Sequence, residues 1–181
     1  SPGIPIDHAL PVLFRKEAKA IVGEAELAAR ELRCPVVAVT GTNGKTTTVS
    51  MIEHIFNACH KRAVACGNVG RPIADCLEEL EEDGIAVAEI SSFQLETLTS
   101  LRPHVSVFLN IAEDHLNRHY TMENYIYLKQ RLMKNSAESE YVVLNHDDTV
   151  LRTFAEKTRA QVVWFSTEER VNGAYIQDGA I

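Results

Sequence analysis

Along the chain, short apolar runs alternate with longer stretches in which apolar residues return every three or four positions. The runs at 36–40, 63–65, 85–90, 105–109, 141–144 and 162–165 read as β-strands. Helical periodicity spans 46–59, 73–82, 122–136 and 150–159. Most strand runs are apolar throughout instead of alternating with polar residues, the pattern of strands covered on both faces. The expectation is an α/β fold, a mostly parallel sheet with helices on both faces. A mainly helical stretch at 11–30, broken at Gly23, comes before the first strand. The last segment differs: Asn172-Gly173 and Asp178-Gly179 are hairpin signals. A small antiparallel addition is therefore expected near the C-terminus.

At 181 residues the chain is one good-sized domain, or one domain with a fragment attached. It is 45% hydrophobic and 24% charged, enough for a real core. A formal charge of −7 argues against broad contact with nucleic acid or an anionic membrane, and neither partner is expected. No apolar run approaches the roughly 18 residues of a membrane span. The four cysteines, Cys34, Cys59, Cys66 and Cys76, have no C-x-x-C spacing, so free and mostly buried thiols in a reducing cytoplasm are expected. The chain opens on "SPGIP" without a Met and is expected to be a piece of a longer polypeptide.

The first chemistry lies at 36–56, where an apolar strand runs into Gly-Thr-Asn-Gly-Lys-Thr-Thr and then a helix. Gly44, Lys45 and Thr46 fit the end of the P-loop pattern, but Val39 stands where its first glycine should be. A bare GKT is often chance; a strand before it and a helix after it point to phosphate binding. Gly41 and Gly44 let the backbone approach a ligand, and a helix N-terminus favours an anion. Lys45 suits β- and γ-phosphate oxygens, and Thr46 suits magnesium. Glu89 ends another apolar strand, where P-loop enzymes place a magnesium-holding acid. A third strand exits into Asn110, Glu113, Asp114 and His115. Ligands bind at such carboxyl edges in open α/β sheets. His115 and His119 also have the spacing of a zinc pair, but no third ligand accompanies them.

Together, "TGTNGKTT", "GNVG", "EISSFQLE" and "NIAEDHLNRH" resemble the central ATP-binding domain of the Mur ligase family. That family's shortened P-loop begins at the first glycine of TGTNGK, which accounts for Val39. The resemblance implies a P-loop nucleotide-binding fold and an ATP-dependent ligase of peptidoglycan precursor synthesis. "SSFQLE" and "GNVG" are most similar to the branch that joins D-glutamate to UDP-N-acetylmuramoyl-L-alanine through an acyl phosphate. By motif position, Gly41, Thr42, Asn43, Gly44, Lys45, Thr46 and Thr47 would bind ATP. Thr46, Glu89 and His115 would hold Mg2+. Gly3, Asn68, Ser91 and Gln94 would touch the muramoyl substrate. "YIYLKQRL" matches the segment that carries a CO2-modified lysine in the family, so Lys129 would become a metal ligand, with Lys134 the nearby alternative. Lys45, His115 and Lys129 are the implied catalytic set.

The resemblance also implies an organisation. Residues 1–33 would be the tail of an N-terminal UDP-binding domain and its linker, and 34–181 an incomplete ATP-binding domain. The C-terminal domain is expected to be missing from this piece, which alone is expected to be inactive. A cytoplasmic monomer acting on small molecules is expected. The alternatives are another Mur ligase, a folylpolyglutamate synthase, or a nucleotide-binding module without ligase activity. "EISSFQLE" argues against the first two.

Overall fold

The computed structural model describes residues 3–80 and 83–181. Two short helices, α1 (Ala9–Phe14) and α2 (Glu24–Glu31), precede the first strand, β1 (Val36–Thr40). Next come α3 (Lys45–Ala58), β2 (Ala63–Gly67), β3 (Ile85–Glu89), α4 (Ser92–Leu95) and β4 (Val105–Phe108). The chain continues through α5 (Leu116–His119), α6 (Met122–Gln130), β5 (Tyr141–Asn145), α7 (Thr149–Arg152), β6 (Gln161–Ser166) and β7 (Gly173–Tyr175).

All seven strands pair parallel, in the order β2-β3-β1-β4-β5-β6-β7. From β1 the chain crosses to β2, returns to β3, and then passes over β1 to β4. This reversal of direction at β1 makes the crevice above it the natural ligand position.

Alternation along β1 explains the two-sided burial. Val36 and Ala38 face one core with Ala86, Ala88 and Phe108. Val37 and Val39 face the other with Val87, Val107 and the α3 residue Val49. Each apolar run thus supplies both faces at once, which is why the strands lack a polar face. The six expected strands all form, within a residue or two of their expected ends.

The expected helices at 122–136 and 150–159 each form a helix that passes into a 3₁₀ turn. Three expectations change. The stretch at 11–30 is two separate helices. At 73–82 only a 3₁₀ turn forms, Ala74–Cys76; positions 81 and 82 lie outside the described residues. Ile73, Cys76 and Leu80 are buried as the periodicity requires, but their backbone bonds mostly span three residues, because a tight turn buries the same positions as a helix would.

The C-terminal antiparallel addition is not formed. Asn172-Gly173 does not sit at a hairpin apex. Gly173 opens β7, which runs parallel to β6 with Trp164 opposite Gly173. Asp178-Gly179 does make a tight turn, closed by one antiparallel bridge between Gln177 and Ala180.

Cys34, Cys66 and Cys76 are buried and Cys59 is exposed. Burial, with the neighbouring thiols Cys76 and Cys34, pushes the Cys66 thiol up to about 12. No described helix is long and apolar enough to cross a membrane.

Candidate functional site

The loop after β1 is held by its backbone. Gly44 caps α3 at φ +84, a left-handed conformation that a side chain would strain, and so lets Lys45 begin the helix. The free N–H groups of this 14-residue helix point into the loop. The segment after β4 clamps the loop from the side. Thr42 N donates to Asn110 O at 2.9 Å, and Asn43 N to Asn110 Oδ1 at 2.8 Å. Asn110 Nδ2 returns a bond to Asn43 O, and Ala112 N donates to Thr42 Oγ1. Lys45 Nζ lies across the loop, donating to Gly41 O at 3.0 Å and Thr42 O at 2.7 Å. Thr47 is exposed on the first turn of α3.

Beside the loop, Glu89 ends β3 and is 2% exposed. Its Oε2 accepts from Thr46 Oγ1 at 2.7 Å and its Oε1 from Asn68 Nδ2 at 3.0 Å. Asn68 N also donates to the Glu89 carbonyl. The chain passes this point only because residue 67 is glycine: φ is +109, and a Cβ there would lie 2.2 Å from Glu89 O. "GNVG" therefore works through geometry as well as through Asn68.

Lys129 enters from α6, also 2% exposed. Its Nζ donates to Gly41 O at 2.7 Å and Thr40 Oγ1 at 3.2 Å, and sits 5.1 Å from the centre of the Tyr125 ring. Burial, and then the Lys45 charge, lower its pKa to about 7, against the opposing pull of Asp114 and Glu89.

A cavity of about 110 Å³ brings together Lys45, Asn68, Ser91, His115 and Lys129, with Tyr125 on its wall. His115 stands at the rim in a left-handed conformation, its ring tilted against Phe93 with centroids 4.8 Å apart, and its Nε2 lies 3.3 Å from Asp114 Oδ2.

Two of the expected residues are engaged elsewhere. Gln94 is buried and turns back to cap its own helix: its Oε1 accepts from Ser91 N and Ser91 Oγ, each at 2.9 Å. Gly3 meets the body through its carbonyl, which accepts from Arg118 at 3.2 Å; Arg118 also pairs with the buried Glu96. The two histidines of H-x-x-x-H part company. His119 is buried against Ser92 Oγ at 2.9 Å, and burial lowers its pKa despite the nearby Glu96. Among the described residues, no three of His, Cys, Asp or Glu gather in metal-binding geometry.

Tyr125, with Ser92 and Phe93 beside it in the pocket, is a site residue that the sequence reading missed. Its Oη lies 3.1 Å from Thr42 Oγ1 and its ring lines the pocket. The signal was available: Tyr125 precedes Lys129 by four residues, one helical turn on the same face.

Comparison with known proteins agrees with this geometry. The sequence profile described as Mur ligase middle domain matches residues 39–179. A UDP-N-acetylmuramoylalanine--D-glutamate ligase of Clostridioides difficile (strain 630) is 42% identical over 183 residues, covering 100% of this chain and 41% of its own. The enzyme of the same name from Thermoanaerobacter sp. (strain X514) is 43% identical, with 100% and 40% covered. The chain thus spans about two fifths of the length of the curated relatives it matches. Among solved structures, MurF ligase from Thermotoga maritima in complex with ADP superposes with a TM-score of 0.64 at 26% identity, over 81% of this chain and 36% of that one. A ligase from Neisseria meningitides, UDP-N-acetylmuramate:L-alanyl-gamma-D-glutamyl-meso-diaminopimelate ligase, shares the fold with a TM-score of 0.65 at 17% identity, over 91% of this chain and 58% of its own. With its phosphate loop, strand-end acid and buried lysine around one crevice, the chain belongs to the Mur ligase family, as its middle domain.

Proposed function

We propose that the polypeptide containing this chain is an ATP-dependent ligase that joins D-glutamate to UDP-N-acetylmuramoyl-L-alanine in peptidoglycan precursor synthesis. The observation that carries this reading is the pocket where Lys45, Asn68, Ser91, His115 and Lys129 meet at the carboxyl edge of the sheet. The relatives that match the whole chain, named as D-glutamate ligases, support the choice of amino acid. In this reading residues 34–181 are the ATP-binding unit, and 1–33 tie it to a preceding UDP-binding domain. The enzyme works as a cytoplasmic monomer.

The reaction brings a substrate carboxylate to the γ-phosphate of ATP. The carboxylate oxygen attacks phosphorus and ADP leaves. The D-glutamate amine then attacks the acyl carbon, and phosphate departs from the tetrahedral intermediate to leave an amide. The obstacle to the first step is repulsion between anions. Lys45 Nζ, which bonds two loop carbonyls, is placed to turn to β- and γ-phosphate oxygens, with Gly41–Thr47 supplying backbone donors. Asn68 and Ser91 would orient the muramoyl substrate from the pocket wall, with Gly3 and Gln94 at its margin.

The donor set fits Mg2+. The Thr46 hydroxyl and Glu89 carboxylate, two hard oxygen donors, lie 2.7 Å apart beside the loop. Magnesium takes phosphate oxygens and water for its other positions, so one carboxylate suffices. When bound, the ion supplies the charge neutralisation that lets carboxylate and phosphate approach. His115 at the rim, and Lys129 once carbamylated, would serve a second ion. With a pKa of about 7, Lys129 has the neutral amine that adds to CO2, releasing a proton and leaving an anion.

The test is a ligase assay on the complete gene product with ATP, UDP-N-acetylmuramoyl-L-alanine and each candidate amino acid. D-glutamate-dependent phosphate release is the expected result. Preference for another amino acid overturns the assignment within the family, and no turnover with any of them would leave a nucleotide-binding module.

A further inference from the structure

The opposite edge of the sheet carries a second polar cavity that the ligase reading does not use. Its volume is about 720 Å³, and its walls come from the segments that lead into β4, β5 and β6. Four cations border it: Arg102, Lys134, Lys157 and Arg159. Arg102 is paired with Glu140, but among the described residues Lys134, Lys157 and Arg159 form no ion pair. The one carboxylate lining the cavity, Glu138, leaves an excess of positive charge in a chain whose net charge is −7.

The lining has no aromatic residue on which a base could stack, so charge and hydrogen bonding must carry recognition.

We propose that this cavity is a binding site for a phosphoryl oxyanion, with Lys134, Lys157 and Arg159 supplying the charge. The anion is either free phosphate or the phosphate of a small monoester. The site is separate from the phosphate loop, which opens on the other edge of the sheet.

The test is a titration of the 15N-labelled 181-residue chain, read amide by amide at constant ionic strength. Inorganic phosphate and glycerol 3-phosphate are added separately, with sodium chloride as the reference salt. Saturable shifts at 134–139 and 157–160, absent with chloride, are expected; the tighter of the two ligands identifies the source. Phosphate at the P-loop would shift 41–47 instead, so failure here and failure of the ligase reading are distinguishable. Lys157→Gln with Arg159→Gln, both exposed positions, should weaken binding about ten-fold. Shifts confined to 41–47, shifts that chloride reproduces, or affinity unchanged in the double variant would overturn the site.

Discussion

Two lysines meet on one carbonyl. Lys45 and Lys129 both donate to Gly41 O, at 3.0 and 2.7 Å, yet they come from opposite sides of the loop. Lys45 is half-buried at the start of α3, held only by carbonyls of a loop that phosphate would cover. Lys129 is 2% exposed, fixed by Thr40 and Tyr125 as well. Burial, and then repulsion from the Lys45 charge, lower the pKa of Lys129. Identical side chains are thus set apart by environment: one half-buried on the loop's carbonyls, the other enclosed beside Thr40 and Tyr125.

The sharpest way to break this contrast is Lys45→Ala in the complete enzyme. Ligation should fall about 10²-fold or more, with an unchanged circular dichroism spectrum. Near wild-type turnover would remove Lys45 from the reaction. Next is Lys129→Ala, expected to lower activity about 10–10²-fold. Acetate at high concentration should restore part of that loss by standing in for a carbamate. It should do nothing for Lys45→Ala, where a cation is missing. Equal rescue of both, or of neither, would erase the distinction.

Glu89→Gln keeps shape while removing a charge that attracts Lys129. Activity should drop about ten-fold at low magnesium and partly recover when magnesium is raised. A magnesium dependence identical to wild type would make Glu89 a purely structural acid.

The smallest effect on turnover is expected for Glu26→Gln, a buried charge far from the pocket. Glu26 is 1% exposed, and burial opposes its charge. Bonds from Thr99 N, Ser100 N, Arg30 and the Thr99 hydroxyl win, lowering its pKa from 4.5 to about 2. Its stabilisation is therefore present above pH 4.5 and is lost as the pH falls towards about 2. The variant should be about 3 kcal/mol less stable at pH 7 by urea denaturation, with the gap closing over that acid range. A gap that persists at pH 2 would mean that packing, and not charge, is what Glu26 contributes.

The strands were legible because two-sided burial writes itself as unbroken apolar runs such as 36–40. Helical periodicity at 73–82 misled because a 3₁₀ turn buries the same positions. Asn172-Gly173 misled because glycine at a strand entrance and glycine at a turn apex look alike in sequence. In the site, Lys45 and Thr46 declare themselves through a local motif. Lys129 is brought to Gly41 by tertiary packing across 88 residues, and no local pattern records that. Only family resemblance pointed to it, and Tyr125, its neighbour one turn away, went unnoticed.

Gly67 has a consequence for redesign. In a library that randomises β2, this position admits a single letter. Any other would drive a carbon into the Glu89 carbonyl and pry apart the pairing that ends at Gly67 and Glu89. An engineer who reads only a list of ligand contacts would leave residue 67 free to vary, and would lose the acid on the neighbouring strand without ever having touched it.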